Sequence, residues 1–313
     1  MSTGSSPYGT PLQGVACDLC GSNRDQTLFT LRDMMQTTSD HEYRIARCRV
    51  CDLIYLNPRP YSWDIPGLYP AEYAPFKRSA LGTLARKWLH KRTVTELANL
   101  VQAPRRVLDI GCGTGELLEQ VRKSGNPNVL GIEPSIQAAR VARENRGLDV
   151  RTGTLEQCAL PDASIDTVLI SHVLEHLPSP RVTLREVDRI LRPGGAVVIW
   201  VPNAASVPAK VLGRYWMGWD VPRHLYAFTP GSLHRLIGTT SLQPGEILHE
   251  KHGIEWSWGL RLWAAERFEN EQLNRALAAL HPAMSIGSTP LGIISSLLRS
   301  SGRIRMIAWK PFD

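Results

Sequence analysis

Four of the six cysteines fall into two tight pairs, Cys17-x2-Cys20 and Cys48-x2-Cys51, with 27 residues between them. Two such knuckles can turn four thiolates inward onto one zinc ion, and paired knuckles are a strong signal of this. Gly21 follows Cys20 and relieves crowding as the backbone rounds the metal. With all four ligands supplied by protein, the site reads as closed and structural. An iron–sulfur site and unmetallated thiols are the alternatives; a redox C-x2-C motif lacks the thioredoxin-like βαβ unit it needs. Cys112 and Cys158 read as small buried hydrophobes.

The second constellation is Val107-Leu108-Asp109-Ile110-Gly111-Cys112-Gly113-Thr114-Gly115-Glu116. A short apolar strand runs into a glycine turn and then a helix, and the glycines let the backbone turn sharply and let a ligand press against it. Asp109 stands at the carboxyl end of the strand, where open α/β sheets bind ligands. Glu133 ends the next apolar run, where a carboxylate can accept both hydroxyls of a ribose. A dinucleotide loop needs a third glycine where Glu116 stands, and a carboxylate there opposes a pyrophosphate. S-adenosylmethionine has no phosphate and carries a sulfonium and an ammonium, so an acidic loop suits it.

A third cluster runs from Trp216 to Tyr226 and gathers two Trp, Asp220, Arg223, His224 and Tyr226. His224 is the expected general base, because an imidazole titrates near neutrality. Tyr226 and His172 are its reserves, and Arg223 can pair with an anionic acceptor. Alternatively, His224 and Tyr226 cap the following helix or fill the core. Glu175 and His176 can join other residues around a divalent metal, or simply begin a helix.

These residues need a frame. Apolar runs at Arg106–Ile110, Asn128–Glu133, Leu148–Arg151, Ile165–Ile170 and Ala196–Val201 alternate with helical patterns at Glu116–Lys123, Ser135–Asn145 and Pro180–Leu191. That alternation predicts a parallel sheet covered on both faces. Beyond it, Thr229 should cap a helix over Pro230–Thr240, and Gly245–Glu250 and Arg303–Trp309 read as strands. Upstream, helical spacing runs from Ser79 to Gln102. Residues 1–15 read as disordered, 16–60 as the zinc-binding module, 61–103 as linker and helix, and 104–313 as the main domain, with an apolar helical insertion over about 254–300.

From Arg105 to Asn203 the chain resembles the class I methyltransferases. The resemblance is carried by D-I-G-C-G-T-G, Glu133, P-D-A-S-I-D-T-V at Pro161–Val168, H-V-L-E-H-L at His172–Leu177, R-I-L-R-P-G-G at Arg189–Gly195 and V-P-N at Val201–Asn203. It implies a Rossmann-like α/β fold with a seven-stranded, mostly parallel sheet. It also implies that Asp109, Gly111, Cys112 and Gly113 hold the methionine part of S-adenosylmethionine and that Glu133 and Pro134 border the ribose. Thr154 and Leu155 would lie beside the adenine, and Ser171 and His172 would line the methyl-transfer cleft. The H-x-x-E-H run is similar to the E-x-x-E-H metal motif of some quinone and RNA methyltransferases, with His172 replacing the first Glu. The cysteine pairs, with C-D-L-I-Y-L-N-P-R-P after them, resemble zinc-containing methyltransferases of sugar and natural-product pathways. That implies a small-molecule acceptor, such as a sugar derivative.

The net charge of +7 and pI near 9.2 favour anionic partners, though the arginines are scattered rather than grouped. The cysteine knuckles lack clustered Lys or Arg, so nucleic acid is not the expected partner; an RNA methyltransferase and a nucleic-acid-binding module are kept as alternatives, with an NAD(P)-linked oxidoreductase behind them. There is no signal-peptide pattern and no run of the roughly 18 to 20 apolar residues that span a bilayer, so a cytoplasmic location is expected. The apolar insertion is expected to be a lid or a dimer face, with peripheral membrane contact as the other option. A monomer and a homodimer are both compatible with the sequence.

Overall fold

The computed structural model describes residues 11–35, 41–68, 90–268 and 270–312. Its centre is a seven-stranded sheet. The strands are β6 (Val107–Ile110), β7 (Val129–Glu133), β8 (Val150–Thr152), β9 (Ile165–Ser171), β10 (Leu191–Pro202), β12 (Gln243–His249) and β13 (Arg303–Trp309). They lie in the order β12-β13-β10-β9-β6-β7-β8. The five strands from β10 to β8 run parallel, while β13 pairs antiparallel with both β10 and β12. The chain reverses its direction of sheet growth between β6 and β9, and the carboxyl edge at that point is where such sheets open a ligand crevice.

Side chains alternate between two cores, as strand geometry requires. Leu108, Ile110, Ile132, Val168, Ile170, Val197 and Ile199 face one way, onto Leu184, Val187 and Ile190 of helix Pro180–Ile190. Val107, Val129, Leu169, Ala196 and Val198 face the other, onto Leu117, Leu118 and Val121 of helix Glu116–Lys123 and Ala139 and Ala142 of helix Ile136–Arg146. Thr229 caps helix Pro230–Ile237 as the sequence predicts. Its hydroxyl accepts from Ser232 N at 3.1 Å, and Ser232 Oγ accepts in return from Thr229 N at 2.9 Å.

The N-terminal part departs from expectation. β2 (Asp25–Arg32), β3 (Glu42–Cys48) and β4 (Ile54–Leu56) form an antiparallel sheet whose fourth strand is β11 (Tyr226–Ala227). Tyr226 pairs with Tyr55 and Ala227 with Ile54. The hydrophobic residues of this sheet join the same cluster as Ile110, Ile170 and Ile199. Residues 11–15 were expected to be disordered, yet β1 (Leu12–Gln13) pairs with β5 (Arg59–Pro60). A backbone edge on β5 gives this Pro-rich stretch the hydrogen-bond partners that its own sequence lacks.

The expected helix over Ser79–Gln102 is helical from 90 to 101, with a turn at Leu97; its earlier residues, including Leu81, Leu84, Ala85, Trp88 and Leu89, lie outside the described residues, as does the linker from 69 to 76. The insertion between β12 and β13 consists of helices Ile254–Phe268, Glu271–Gly287 and Thr289–Leu297. Leu280, Ile286, Ile294, Leu297 and Leu298 are exposed on it. No single described helix is long and apolar enough to cross a membrane, although the last two helices, bent by 44°, meet that test together by length and composition.

Candidate active site

β6 delivers Asp109 to the carboxyl edge and the chain then turns through Gly111, Gly113 and Gly115, at φ 66°, 55° and 79°. These left-handed positions disfavour any side chain, and at Gly111 an added Cβ would also sit 2.5 Å from Val173 Cγ2. At Gly113 a Cβ would meet no heavy atom within 4 Å, so that face of the loop is open to a ligand. Glu133 fastens the turn: Oε2 accepts from Gly113 N and Oε1 from Ser135 N, each at 2.8 Å. Each oxygen keeps a second lone pair, enough for the two hydroxyls of a ribose. The sequence reading gave Glu133 a ligand role and missed this structural one.

Asp109 is 3% exposed. Burial, and then the charge of Glu133, push its carboxyl up to about 8. Two neighbouring carboxylates, one of them deeply buried, suit a cationic ligand. Cys112 is buried beneath the loop, its Sγ 2.6 Å from where a Cβ on Gly131 would lie. Pro134 is exposed just past Glu133, and Thr154 is exposed with its N–H donating to Gln157 Oε1 at 2.9 Å. Leu155 instead is buried in the core at 2% exposure, so the expected contact with the adenine falls to its exposed neighbour Thr154. Ser171 ends β9 and His172 follows it, at φ 55° and with its N–H donating to Trp200 O at 3.1 Å. The parallel strands thus bring the expected cofactor residues to one edge.

Beside that edge lies a cluster of ionisable groups. Glu175 is 1% exposed, and neither carboxylate oxygen has a hydrogen-bond partner among the described residues. His172 Nδ1 stands 3.4 Å from its Oε1, an ion-pair distance without the alignment of a hydrogen bond. Burial opposes the charge of Glu175, but His172, His176 and His224 together hold its carboxyl down, to about 2. Burial, reinforced by His224, holds His176 down to about 4, and burial likewise lowers His172. His224 Nδ1 lies 2.8 Å from Gly218 O and His176 Nδ1 lies 3.0 Å from Arg223 O. A carbonyl only accepts, so both Nδ1 atoms carry the proton and both Nε2 atoms present a lone pair. Glu175, His176 and His224 each offer one ligand atom within 4.8 Å of the others.

Two expectations for the neighbouring residues fail on geometry. Arg223 is fully buried and already engaged, donating to Asp33 at 2.8 and 2.6 Å and to Asp220 at 2.9 and 2.7 Å, so it does not reach for an anionic acceptor. The Tyr226 hydroxyl accepts from Arg59 Nη1 at 2.7 Å and donates to Pro178 O at 3.0 Å. Burial raises that phenol further above neutrality, which makes it a poor base. Asp33, Arg59 and Glu175 are buried charged neighbours of this cluster that the sequence did not single out for these positions. Their signal is burial of charge, which emerges only from the fold.

The four paired cysteines converge. Cys17 and Cys51 sulfurs are 3.4 Å apart, Cys20 and Cys48 sulfurs 3.5 Å, and all four lie within 4.8 Å of one another. Zinc–sulfur bonds of about 2.3 Å in a tetrahedron place sulfurs roughly 3.8 Å apart, so the set fits zinc. Gly21, at φ 74°, donates its N–H to Cys17 O at 2.8 Å. In the second knuckle Asp52 takes the equivalent place at φ 59° and donates to Cys48 O at 3.1 Å.

Comparison with known proteins places this geometry. Residues 82–243 match the family model of a methyltransferase domain. A ubiquinone biosynthesis O-methyltransferase of Cereibacter sphaeroides is 32% identical over 170 residues, covering 50% of this chain and 67% of that protein. Its namesake from Maricaulis maris is 33% identical over 147 residues, covering 44% and 55%. The fold is similar to that of a SAM-dependent methyltransferase from Archaeoglobus fulgidus, with a TM-score of 0.50 and 21% identity over 72% of this chain and 94% of that one.

Proposed function

This chain belongs to the methyltransferase-domain family as an S-adenosylmethionine-dependent methyltransferase, and on that premise we propose that it methylates a hydroxyl of a small molecule, with His224 as general base. The acceptor class is a phenolic or sugar-derived biosynthetic intermediate. Relatives named for O-methylation in ubiquinone biosynthesis support the phenolic end of that range, and the cysteine module supports the sugar end. The observation that carries the reading is the Nε2 lone pair of His224, fixed by the bond from Nδ1 to Gly218 O. In the reaction the acceptor oxygen attacks the methyl carbon, the carbon–sulfur bond breaks, and its electron pair stays on sulfur as S-adenosylhomocysteine. His224 takes the hydroxyl proton, and the buried Glu175 carboxylate stabilises the imidazolium that forms. On the cofactor side, Asp109 and the glycine loop would hold the methionine part, Glu133 and Pro134 the ribose, and Thr154 the adenine. The Cys17, Cys20, Cys48 and Cys51 site would carry structural zinc.

His224→Gln tests this. Turnover with phenolic and sugar acceptors should fall about 10²- to 10⁴-fold while S-adenosylmethionine affinity stays within twofold. Unchanged turnover would remove His224 as the base. A second reading is supported by Glu175, whose oxygens receive no hydrogen bond. With His176 and His224 it can hold a divalent cation, since both rings already spend Nδ1 on carbonyls as metal-bound histidines do. Such a cation would polarise the acceptor oxygen. Turnover that needs added divalent cation in zinc-loaded protein favours this reading, and turnover that does not favours the base.

A further inference from the structure

We propose that Asp33, supplied by the N-terminal cysteine unit, is a positioning residue for methyl transfer: it holds the turn that aims His224 and leaves cofactor binding alone. The proposal rests on the reading of His224 as the base. Its physical ground is where the neighbours of His224 are tied. Arg223, one residue before it, is clamped by Asp33 at 2.8 and 2.6 Å, with Arg223 wholly buried and Asp33 3% exposed. Leu225, one residue after it, accepts at its carbonyl from Leu56 N at 2.9 Å, and Tyr226 continues as a strand beside Tyr55. The base thus hangs between two anchors, and both belong to the segment between residues 25 and 60 that carries the second cysteine pair.

The turn itself is tight. Asp220 has φ 24°, an unusual value for a residue with a side chain, and its carbonyl accepts from both Arg223 N at 2.9 Å and His224 N at 3.0 Å. The ring of His224 leans on Gly218 O of the same turn. The carbonyl of Arg223 orients His176, whose ring packs 4.5 Å from that of His224. Moving the Arg223 side chain therefore moves the residue beside the base and the support of the neighbouring imidazole together. Charge neutrality does not demand Asp33. Asp220, three residues away on the same turn, neutralises the guanidinium by itself at 2.9 and 2.7 Å. A second buried carboxylate, from 190 residues away in sequence, adds attachment of the turn to the cysteine unit. The cofactor edge is built independently: Gly113, Glu133 and Ser135 bond among themselves and make no contact with Asp33 in that network.

The test is a double-mutant cycle between Asp33→Asn and His224→Gln on the zinc-loaded full chain. Asp33→Asn should lower kcat at least tenfold, with S-adenosylmethionine Kd within twofold and metal content unchanged. It should also shift or broaden the pH profile of kcat. In the His224→Gln background the same substitution should change kcat less than twofold, because a residue that acts through the base has nothing left to position. Asp33→Glu keeps the charge and lengthens the side chain by one methylene. It should recover part of the lost turnover, and it runs the same cycle if Asn at this position fails to fold. Equal losses of kcat in both backgrounds, or a parallel loss of cofactor affinity, would overturn the proposal by making Asp33 a general structural residue. An unaltered kcat in Asp33→Asn would overturn it outright. If His224→Gln alone keeps full turnover, the base assignment fails instead, a separate result from any failure of Asp33.

Discussion

Lowering the pH from 8 to 6 should weaken binding of S-adenosylmethionine through Asp109. Burial and the charge of Glu133 place that carboxyl at about 8 in the ligand-free protein. Half of the molecules then carry the anion at pH 8 and about one in a hundred at pH 6. If the bound cation requires ionised Asp109, apparent Kd rises about 50-fold across this interval, or roughly 2.3 kcal/mol at about 1.4 kcal/mol per tenfold. The amino group of the cofactor, titrating near 7.7 to 8.0, is only about a third to a half protonated at pH 8 and almost fully so at pH 6, which offsets about two- to threefold of this and leaves a net rise of roughly 20-fold. His176, held to about 4, stays neutral throughout. For stability the sign runs the other way. A carboxyl raised above its unfolded value of 3.8 favours the ligand-free fold at low pH, and that contribution is lost as pH rises from about 4 to about 8. Cofactor should therefore raise the melting temperature most near pH 8. Calorimetric titration at pH 6, 7 and 8, in buffers of different ionisation enthalpy, reads both the affinity and the proton released. Asp109→Asn should bind weakly at every pH and with little slope. A flat wild-type affinity between pH 6 and 8, or a mutant that keeps the wild-type slope, would refute the electrostatic reasoning.

The glycine loop makes a paired prediction. Gly113→Ala should fold nearly normally, since its Cβ meets nothing and the left-handed conformation costs about 1 to 2 kcal/mol, yet lose tenfold or more in cofactor affinity by titration. Gly111→Ala, whose Cβ would lie 2.5 Å from Val173 Cγ2, should instead lower the melting temperature measurably. Elemental analysis should find one zinc per chain, and Cys17→Ser should lose it with a clear fall in melting temperature, whereas Cys158→Ser keeps the metal.

The parallel half of the fold was legible because each element carried its own signal. β6, β7, β9 and the Ala196–Pro202 part of β10 are largely buried, mostly apolar runs, helix Glu116–Lys123 has its predicted bounds, and Thr229 caps the helix expected there. The glycine loop was legible for the same reason, since strand, turn and helix are contiguous in sequence. The sheet of β2, β3, β4 and β11 was not. Only one residue of β2 is buried and half are exposed, which blurs the alternation of a half-buried strand, and β11 is two residues long and far from its partner in sequence. Arg223 misled for a related reason. An arginine beside a histidine and a tyrosine reads as a ligand-binding group until Asp33 is brought against it by the fold.

This division has a chemical counterpart. Asp109, the glycine turn, Glu133 and His172 all fall within residues 82–243, the stretch matched by the family, and they form an edge that needs only the parallel sheet to exist. The proposed acceptor side takes Glu175, Arg223, His224 and Tyr226 from that stretch; Asp220, Gly218 and Pro178 hold them from within it, and Asp33 on Arg223, Leu56 on Leu225 and Arg59 on Tyr226 add attachments from outside it. With His224 as the proposed base, the N-terminal unit would aim it through Arg223 while the cofactor edge keeps its own bonds among Gly113, Glu133 and Ser135. With zinc bound, Cys17, Cys20, Cys48 and Cys51 would tie the two knuckles together, and the buried Asp33–Arg223 pair would couple that unit to the turn carrying His224.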